Sequence, residues 1–249
     1  MMLQKIILQC KYGGEQRASY NWGSLFHGIL VKSLPSDIAE MLHENHLRPF
    51  SQYVLSSSNQ ELTWNIGLWD AEIANHIIQA VLPLVQIELQ HKATTLEVTG
   101  VKRSSQNEYE YFNHYFATEN PCRRYEIEFL TPCTHKQDGS YVLFPTPELI
   151  VKSLNNRYCA FMQDVSLDAP EAMEQIAKHI HIVRYSLHSA VFYLERTKIT
   201  GYMGRITVVI SGTEQLARLA GALLSFAEYS GLGIKTALGM GGVKIRALA

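Results

Sequence analysis

The chain has 249 residues, 47% of them hydrophobic, and a formal net charge of −1; that suffices for one large domain or two of ordinary size and is too little positive charge for an indiscriminate polyanion binder. The charge is uneven: residues 1–120 carry 8 Lys+Arg against 12 Asp+Glu, residues 121–249 carry 14 against 11, and after Glu228 every charged residue is basic, so any anion-binding footprint is expected on the second half. No apolar run reaches membrane-spanning length, and Cys10, Cys122, Cys133 and Cys159 form no C-x-x-C pair, which argues against a zinc site or a disulfide framework and fits a reducing cytosol.

In chain order, Lys5 to Tyr12 alternates apolar and polar residues and predicts a first strand that ends at Gly13 and Gly14. Trp22, Leu25, Phe26, Ile29, Leu30 and Leu34 follow at helical spacing, and Pro35 stops that helix. Ser36 is read as the cap of a short helix over Asp37–Glu44, and Asp70 as the cap of a helix over Ala71–Leu82. Between them Gln52–Ser56 and Glu61–Trp69 read as strands, and Ile87–Val101 as one extended segment. With the short helix set aside, the order is β-α-β-β-α-β, a ferredoxin-like half. Ser104 to Pro121, polar and rich in Tyr and Phe, reads as a linker or hairpin.

A similar order then recurs. Arg124–Leu130 is a strand, Pro145–Arg157 a loop leading into a helix, and Glu171–His179 a further helical piece. Ile182–Glu195 and Arg205–Ile210 are strands. Ser211 and Glu214 have capping-box spacing ahead of a stripe of Leu216, Leu219, Ala220, Leu223, Leu224 and Ala227, with Gly231 as the C-cap. Val243–Leu248 alternates as a last strand. The fold class expected is α+β: tandem ferredoxin-like (RRM-like) domains, 1–120 and 121–249.

Between that last helix and strand lies SGLGIKTALGMGGV, residues 230–243, with Gly231, Gly233, Gly239, Gly241 and Gly242 around Lys235. Such glycine density needs a reason: positive φ, or a backbone that something must approach closely. Bare amides beside a lysine suit phosphate oxygens. The loop follows a helix and precedes a strand, the reverse of a Walker loop or dinucleotide fingerprint.

The run from Tyr229, YSGLGIKTALGMGGV, resembles the C-terminal glycine-rich loop of the RAMP superfamily of CRISPR proteins. More narrowly it resembles the repeat-cleaving endoribonucleases, the Cas family numbered six. FLTPCTHKQDGSYVLFPTPELIVKSLNNRY, from Phe129, is similar to that family's mid-chain block, and LHENHLRPFSQYVLS, from Leu42, to its N-terminal block. The resemblance implies two ferredoxin-like domains, the first carrying a catalytic histidine, and a cytoplasmic enzyme. The implied activity is metal-independent cleavage of CRISPR repeat RNA in the precursor transcript, with no cofactor. It leaves open further Cas effector subunits and a homodimer as partners, and implies no membrane.

Such cleavage needs a base for the attacking 2′-hydroxyl, an acid for the departing 5′-oxygen, and cations or amides for the phosphate transition state. His27 is the leading candidate: it sits at the edge of its helix's apolar stripe, beside Gly28, and matches the active histidine on the first helix in several branches of the family. His43 matches the histidine of the L-H…[KR]-P-F block of other branches, with Arg48 on or near that block's lysine; Val31 stands where its tyrosine would be, so that triad is incomplete. Tyr20 and Lys32 flank the first helix as assisting candidates. The RNA-binding set is Arg48, Gly231, Gly233, Lys235, Thr236, Gly239 and Gly241; no metal site is expected. His179 and His181 read as structural or surface residues. The main alternative is a non-catalytic RAMP subunit that only binds guide RNA.

Overall fold

The computed structural model describes residues 2–14, 16–44, 47–57, 60–161, 170–194 and 197–248. The first unit runs β1 (Met2–Tyr12), a 3-10 turn (Tyr20–Trp22), α1 (Gly23–Lys32), α2 (Ser36–Glu44), β2 (Phe50–Ser56), β3 (Glu61–Leu68), α3 (Ala71–Val81), β4 (Gln86–Leu89) and β5 (Thr94–Asn107). Its sheet has the order β2-β3-β1-β5-β4, with every neighbouring pair antiparallel. That is the ferredoxin-like order with one edge strand added.

Then come α4 (Glu108–Phe116), β6 (Arg124–Cys133), the small hairpin β7 (His135–Gln137) and β8 (Ser140–Val142), α5 (Pro147–Phe161) and α6 (Pro170–His179). The chain finishes with β9 (Ile180–Leu194), β10 (Thr197–Ile210), α7 (Glu214–Ser230), a 3-10 turn (Thr236–Leu238) and β11 (Val243–Ala247). The second sheet is ordered β11-β6-β10-β9, again antiparallel, so the last strand is an edge strand. The two sheets make the tandem ferredoxin-like fold. Among the described residues no helix is long and apolar enough to cross a membrane.

Three local expectations are corrected. Segment 104–121 is not a linker or hairpin: β5 runs to Asn107, and α4 follows behind a complete capping box, Asn107 accepting from Glu110 N while Glu110 accepts from Asn107 N. The extended segment 87–101 is broken into two paired strands by a turn in which Ala93 takes a left-handed conformation, φ +46°. The cap of α7 is Thr213, which accepts from Leu216 N at 3.3 Å. Ser211 is occupied elsewhere: its Oγ lies 2.9 Å from His179 Nδ1 and 3.0 Å from His181 Nε2. Those two histidines, one ending α6 and one opening β9, thus meet around a serine.

The units share a seam. Helix α7 crosses the back of the first sheet so closely that a Cβ on Gly67 would fall 2.0 Å from the Tyr229 carbonyl oxygen. Ser51 Oγ donates to that carbonyl at 2.6 Å, Lys5 Nζ pairs with Glu228 at 3.5 Å, and Trp69 meets Phe226 edge-on. Leu3 and Trp69 accordingly belong to the second unit's core, while Ala237 of the glycine loop belongs to the first unit's.

Candidate functional site

The seam is organised by β2, the edge strand of the first sheet. Strand alternation sends Phe50, Gln52 and Val54 to one face and Ser51 and Tyr53 to the other. The first face receives α1: the Phe50 ring stacks on the His27 imidazole, 6.0 Å between centroids and 18° between planes. The second face receives the other unit, Ser51 bonding α7 and the Tyr53 ring lying against Gly242. His27 is 8% exposed. It stands four residues after Gly23, hence on the same helical face.

Gly23 is where α1 meets the glycine loop. A Cβ there would be 2.9 Å from Gly239 Cα, and a Cβ on Gly239 (φ +112°) would be 2.8 Å from Gly23 Cα. The loop is thereby laid backbone to backbone against the face of α1 that carries His27. Gln52 bridges the two: its Nε2 donates to Gly23 O at 2.9 Å and to Ala237 O at 3.0 Å, while its Oε1 accepts from Trp64 Nε1 at 3.0 Å.

The loop itself is folded tightly onto the second unit. Gly231 caps α7 at φ +67°, its N–H returning to Ala227 O. Leu232 N donates to Gly241 O, Gly233 N to Ser153 Oγ, Ile234 N to Thr134 O, Gly241 N to Pro132 O and Gly242 N to Thr131 Oγ1. Gly241 (φ +65°) has no room for a side chain, since a Cβ would lie 1.8 Å from Leu232 O. The glycines are therefore explained by the chain's own packing, and most loop amides already have acceptors. The amides of Lys235, Thr236 and Ala237 donate to nothing else among the described residues. They begin the 3-10 turn behind Lys235, whose left-handed backbone (φ +55°) turns the chain there. A left-handed residue followed by helical ones forms a concave set of N–H groups suited to an anion.

Lys235 also lines a cavity of about 480 Å³ together with Lys136, Lys152, Tyr141, Asn156 and Arg157. Among the described residues none of those three lysines is in an ion pair. Beneath the loop lies a buried polar cluster absent from the sequence candidates. Arg157 donates to Gly233 O and to Ser153, His135 and the Tyr202 hydroxyl share a 3.1 Å hydrogen bond, and Cys133 Sγ donates to Leu232 O at 3.4 Å. Burial, with the charge of Arg157, holds His135 down at about 4, and burial pushes the Cys133 thiol up to about 12. The cluster supports the loop from within. Its sequence signal was only that Cys133 and His135 flank Thr134 in the block from Phe129.

The structure gathers the sequence candidates unevenly. His27, Gly239, Lys235 and Thr236 lie at the α1–loop junction, with Thr236 buried. Gly231, Gly233 and Gly241 shape the loop from the far side. Tyr20 packs on Phe192 of β9, 6.4 Å away, and burial raises its hydroxyl's pKa; it is a packed tyrosine at the seam. Lys32 is exposed five residues after His27, about 140° around the helix, and is not brought to His27. Arg48 uses its Nε to hold the Leu42 carbonyl at the end of α2, 3.0 Å away. His43 lies in the last turn of α2, its side chain outside the described residues. Among the described residues no group of three or more His, Cys, Asp or Glu is placed to hold a metal ion.

An imidazole on a helix face and a lysine on the loop packed against that helix suit proton transfer beside an anionic ligand. Comparison with known proteins gives the family. The family model for the CRISPR-associated endoribonuclease Cas6 matches residues 127–243. The Cas6 endoribonuclease of Mycobacterium tuberculosis (strain CDC 1551 / Oshkosh) is 31% identical over 228 residues, covering 91% of this chain and 72% of the relative. That of Streptococcus thermophilus is 29% identical over 222 residues, covering 88% and 89%. Among solved structures, a Cas6 product complex superposes with a TM-score of 0.78 at 22% identity, over 99% of this chain and 100% of the other. Thermus thermophilus Cas6 gives 0.73 at 20%, over 98% of each. The fold matches along nearly its whole length and the sequence along nine-tenths of it, so the chain belongs to the CRISPR-associated endoribonuclease Cas6 family.

Proposed function

We propose that this protein cleaves CRISPR repeat RNA in the precursor transcript, without a metal ion, by attack of a 2′-hydroxyl on the neighbouring phosphate. The observation that carries this reading, in a chain of the Cas6 family, is the backbone contact of Gly23 with Gly239, which sets the His27 face of α1 against the loop that bears Lys235. His27 serves in proton transfer. In the step, the 2′-oxygen bonds to phosphorus as its proton leaves to the base, and the phosphorus–O5′ bond breaks as an acid protonates the 5′-oxygen. The products are a 2′,3′-cyclic phosphate and a 5′-hydroxyl. Lys235 and the amides of Lys235, Thr236 and Ala237 neutralise charge on the phosphate oxygens. The stacked Phe50 ring fixes the plane of the imidazole, so the proton-transfer atom is held before RNA arrives.

The test is cleavage of a repeat RNA in EDTA by the wild type and by His27→Ala, with a 2′-deoxy substitution at the cut site as control. Wild-type cleavage that disappears with either change supports the mechanism. Tight binding without cleavage assigns the protein to the non-catalytic RAMP subunits, and cleavage only on addition of metal overturns the proposed chemistry.

A further inference from the structure

We propose that Gln52 is the positioning residue of this site, fixing the separation between the helix that carries His27 and the loop that carries Lys235. The inference rests on the functional reading above, because it concerns how those two groups are made to face one phosphate.

Gln52 is fully buried. Both hydrogens of its amide nitrogen are used, one on Gly23 O and one on Ala237 O, and its oxygen is taken by the indole of Trp64. An indole N–H on one side and two carbonyls on the other admit only one orientation of the amide, so the side chain cannot flip. The two carbonyls belong to segments 214 residues apart in sequence, one opening α1 and one in the 3-10 turn after Lys235. Gly23 O is also the i−4 acceptor for the backbone N–H of His27 in the α-helical pattern. A single amide therefore fixes the peptide from which His27 is hung and a peptide two residues from Lys235. Phe50, two residues earlier on the same face of β2, stacks on the His27 ring. One strand face thus locates both the backbone and the ring of the histidine.

The second element of the device is the absence of a side chain at Gly23. Its backbone is ordinary right-handed helix (φ −51°, ψ −40°), which alanine adopts readily and which does not itself call for glycine. What calls for glycine is distance: the Gly239 Cα and Leu238 O lie 2.9 and 3.0 Å from where the Cβ would be. The gap between helix and loop is therefore set by contact at Gly23 and held closed by Gln52.

Gln52→Met keeps the length and approximate volume of the side chain and removes both donors. In single-turnover reactions at saturating repeat RNA its cleavage rate constant is expected to fall at least tenfold. Its Kd for the uncleavable 2′-deoxy RNA should stay within threefold of wild type. Gly23→Ala, which leaves Gln52 in place and pushes the loop off the helix, should give the same split, and it decides the matter if Gln52→Met shows no cooperative melting transition. In a His27→Ala background neither substitution should lower the residual rate further. A folded Gln52→Met or Gly23→Ala protein that cleaves within threefold of wild type overturns the proposal, as does a loss of RNA affinity equal to the loss of rate, which would mark Gln52 as a support of the fold alone. Undiminished cleavage by His27→Ala would instead sink the active-site assignment, so the two failures are read from different variants.

Discussion

The two units share a topology, and each connects its second main helix to the next strand, yet the two connections are built in opposite ways. After α3 the chain crosses to β4 through Leu82, Pro83, Leu84 and Val85, with no glycine and with Val85 largely exposed. After α7 it takes residues 231–242, five of them glycine, through a loop pressed between β6 and α1. The first connection only has to turn over a free surface. The second has to fit backbone against backbone on two sides, and glycine is the only residue that allows it. Glycine density here marks a loop packed on both of its sides, and under the proposed function each unit brings one half of the chemistry to that junction.

The largest effect that separates the halves is loss of the histidine. His27→Ala should reduce cleavage by roughly 10²- to 10⁴-fold, the usual share of a general acid or base, with the Kd for uncleavable RNA nearly unchanged in a filter-binding titration. Gly241→Ala attacks the other half: a Cβ at positive φ, driven into the Leu232 carbonyl, should cost on the order of 3 kcal/mol or more in chemical denaturation. Gly28→Ala, with nothing within 4 Å of its Cβ, should be neutral or slightly stabilising.

Acid should act on the second unit through His135. Its folded-state pKa of about 4 lies below the ordinary histidine value, from burial and then Arg157. The neutral form is the native one, so its contribution is complete above about pH 6.5 and is lost as pH falls towards 4. The loss approaches about 3 kcal/mol by linkage. Thermal melts at pH 7 and 4.5 should show it, and His135→Gln should flatten the difference.

Smaller still, Lys235→Ala should weaken RNA binding by about 1 kcal/mol and reduce the slope of log K against log salt by about 0.7 to 1. A slope unchanged by the substitution would remove Lys235 from the phosphate contacts. Smallest of all, inserting two residues between Pro83 and Leu84 should cost less than about 1 kcal/mol. A comparable insertion at Gly239 should abolish cleavage.

The topology was legible because it rests on local signals: alternation in β1 and β11, the 3.6-residue stripes of α1 and α7, and caps at Asp70 and Gly231. Helix α4 was hidden by its composition. Tyr109, Tyr111, Phe112, Tyr115 and Phe116 favour strands, although the Asn107–Glu110 capping box was present in the sequence to contradict them. The break between β4 and β5 carries neither glycine nor proline, since Ala93 makes the left-handed turn. At the site, His27 and the loop could be named in advance, but Gln52 could not. Its acceptors are 29 and 185 residues away, and only the fold brings them within reach of one amide. The glycines were found and their reason was not: they answer to neighbours on β6, α1 and β2 and within the loop itself that no local pattern announces.

The thiol beneath the loop has a practical consequence. Cys133 is sealed under Gly233, whose added Cβ would stand 3.0 Å from the sulfur, and is held protonated by burial. A reagent such as an alkylating maleimide can reach it only when the loop lifts away from β6, so the labelling rate of that one sulfur is a clock for the opening of the loop. Run with and without RNA, the clock reports whether bound RNA holds the loop down.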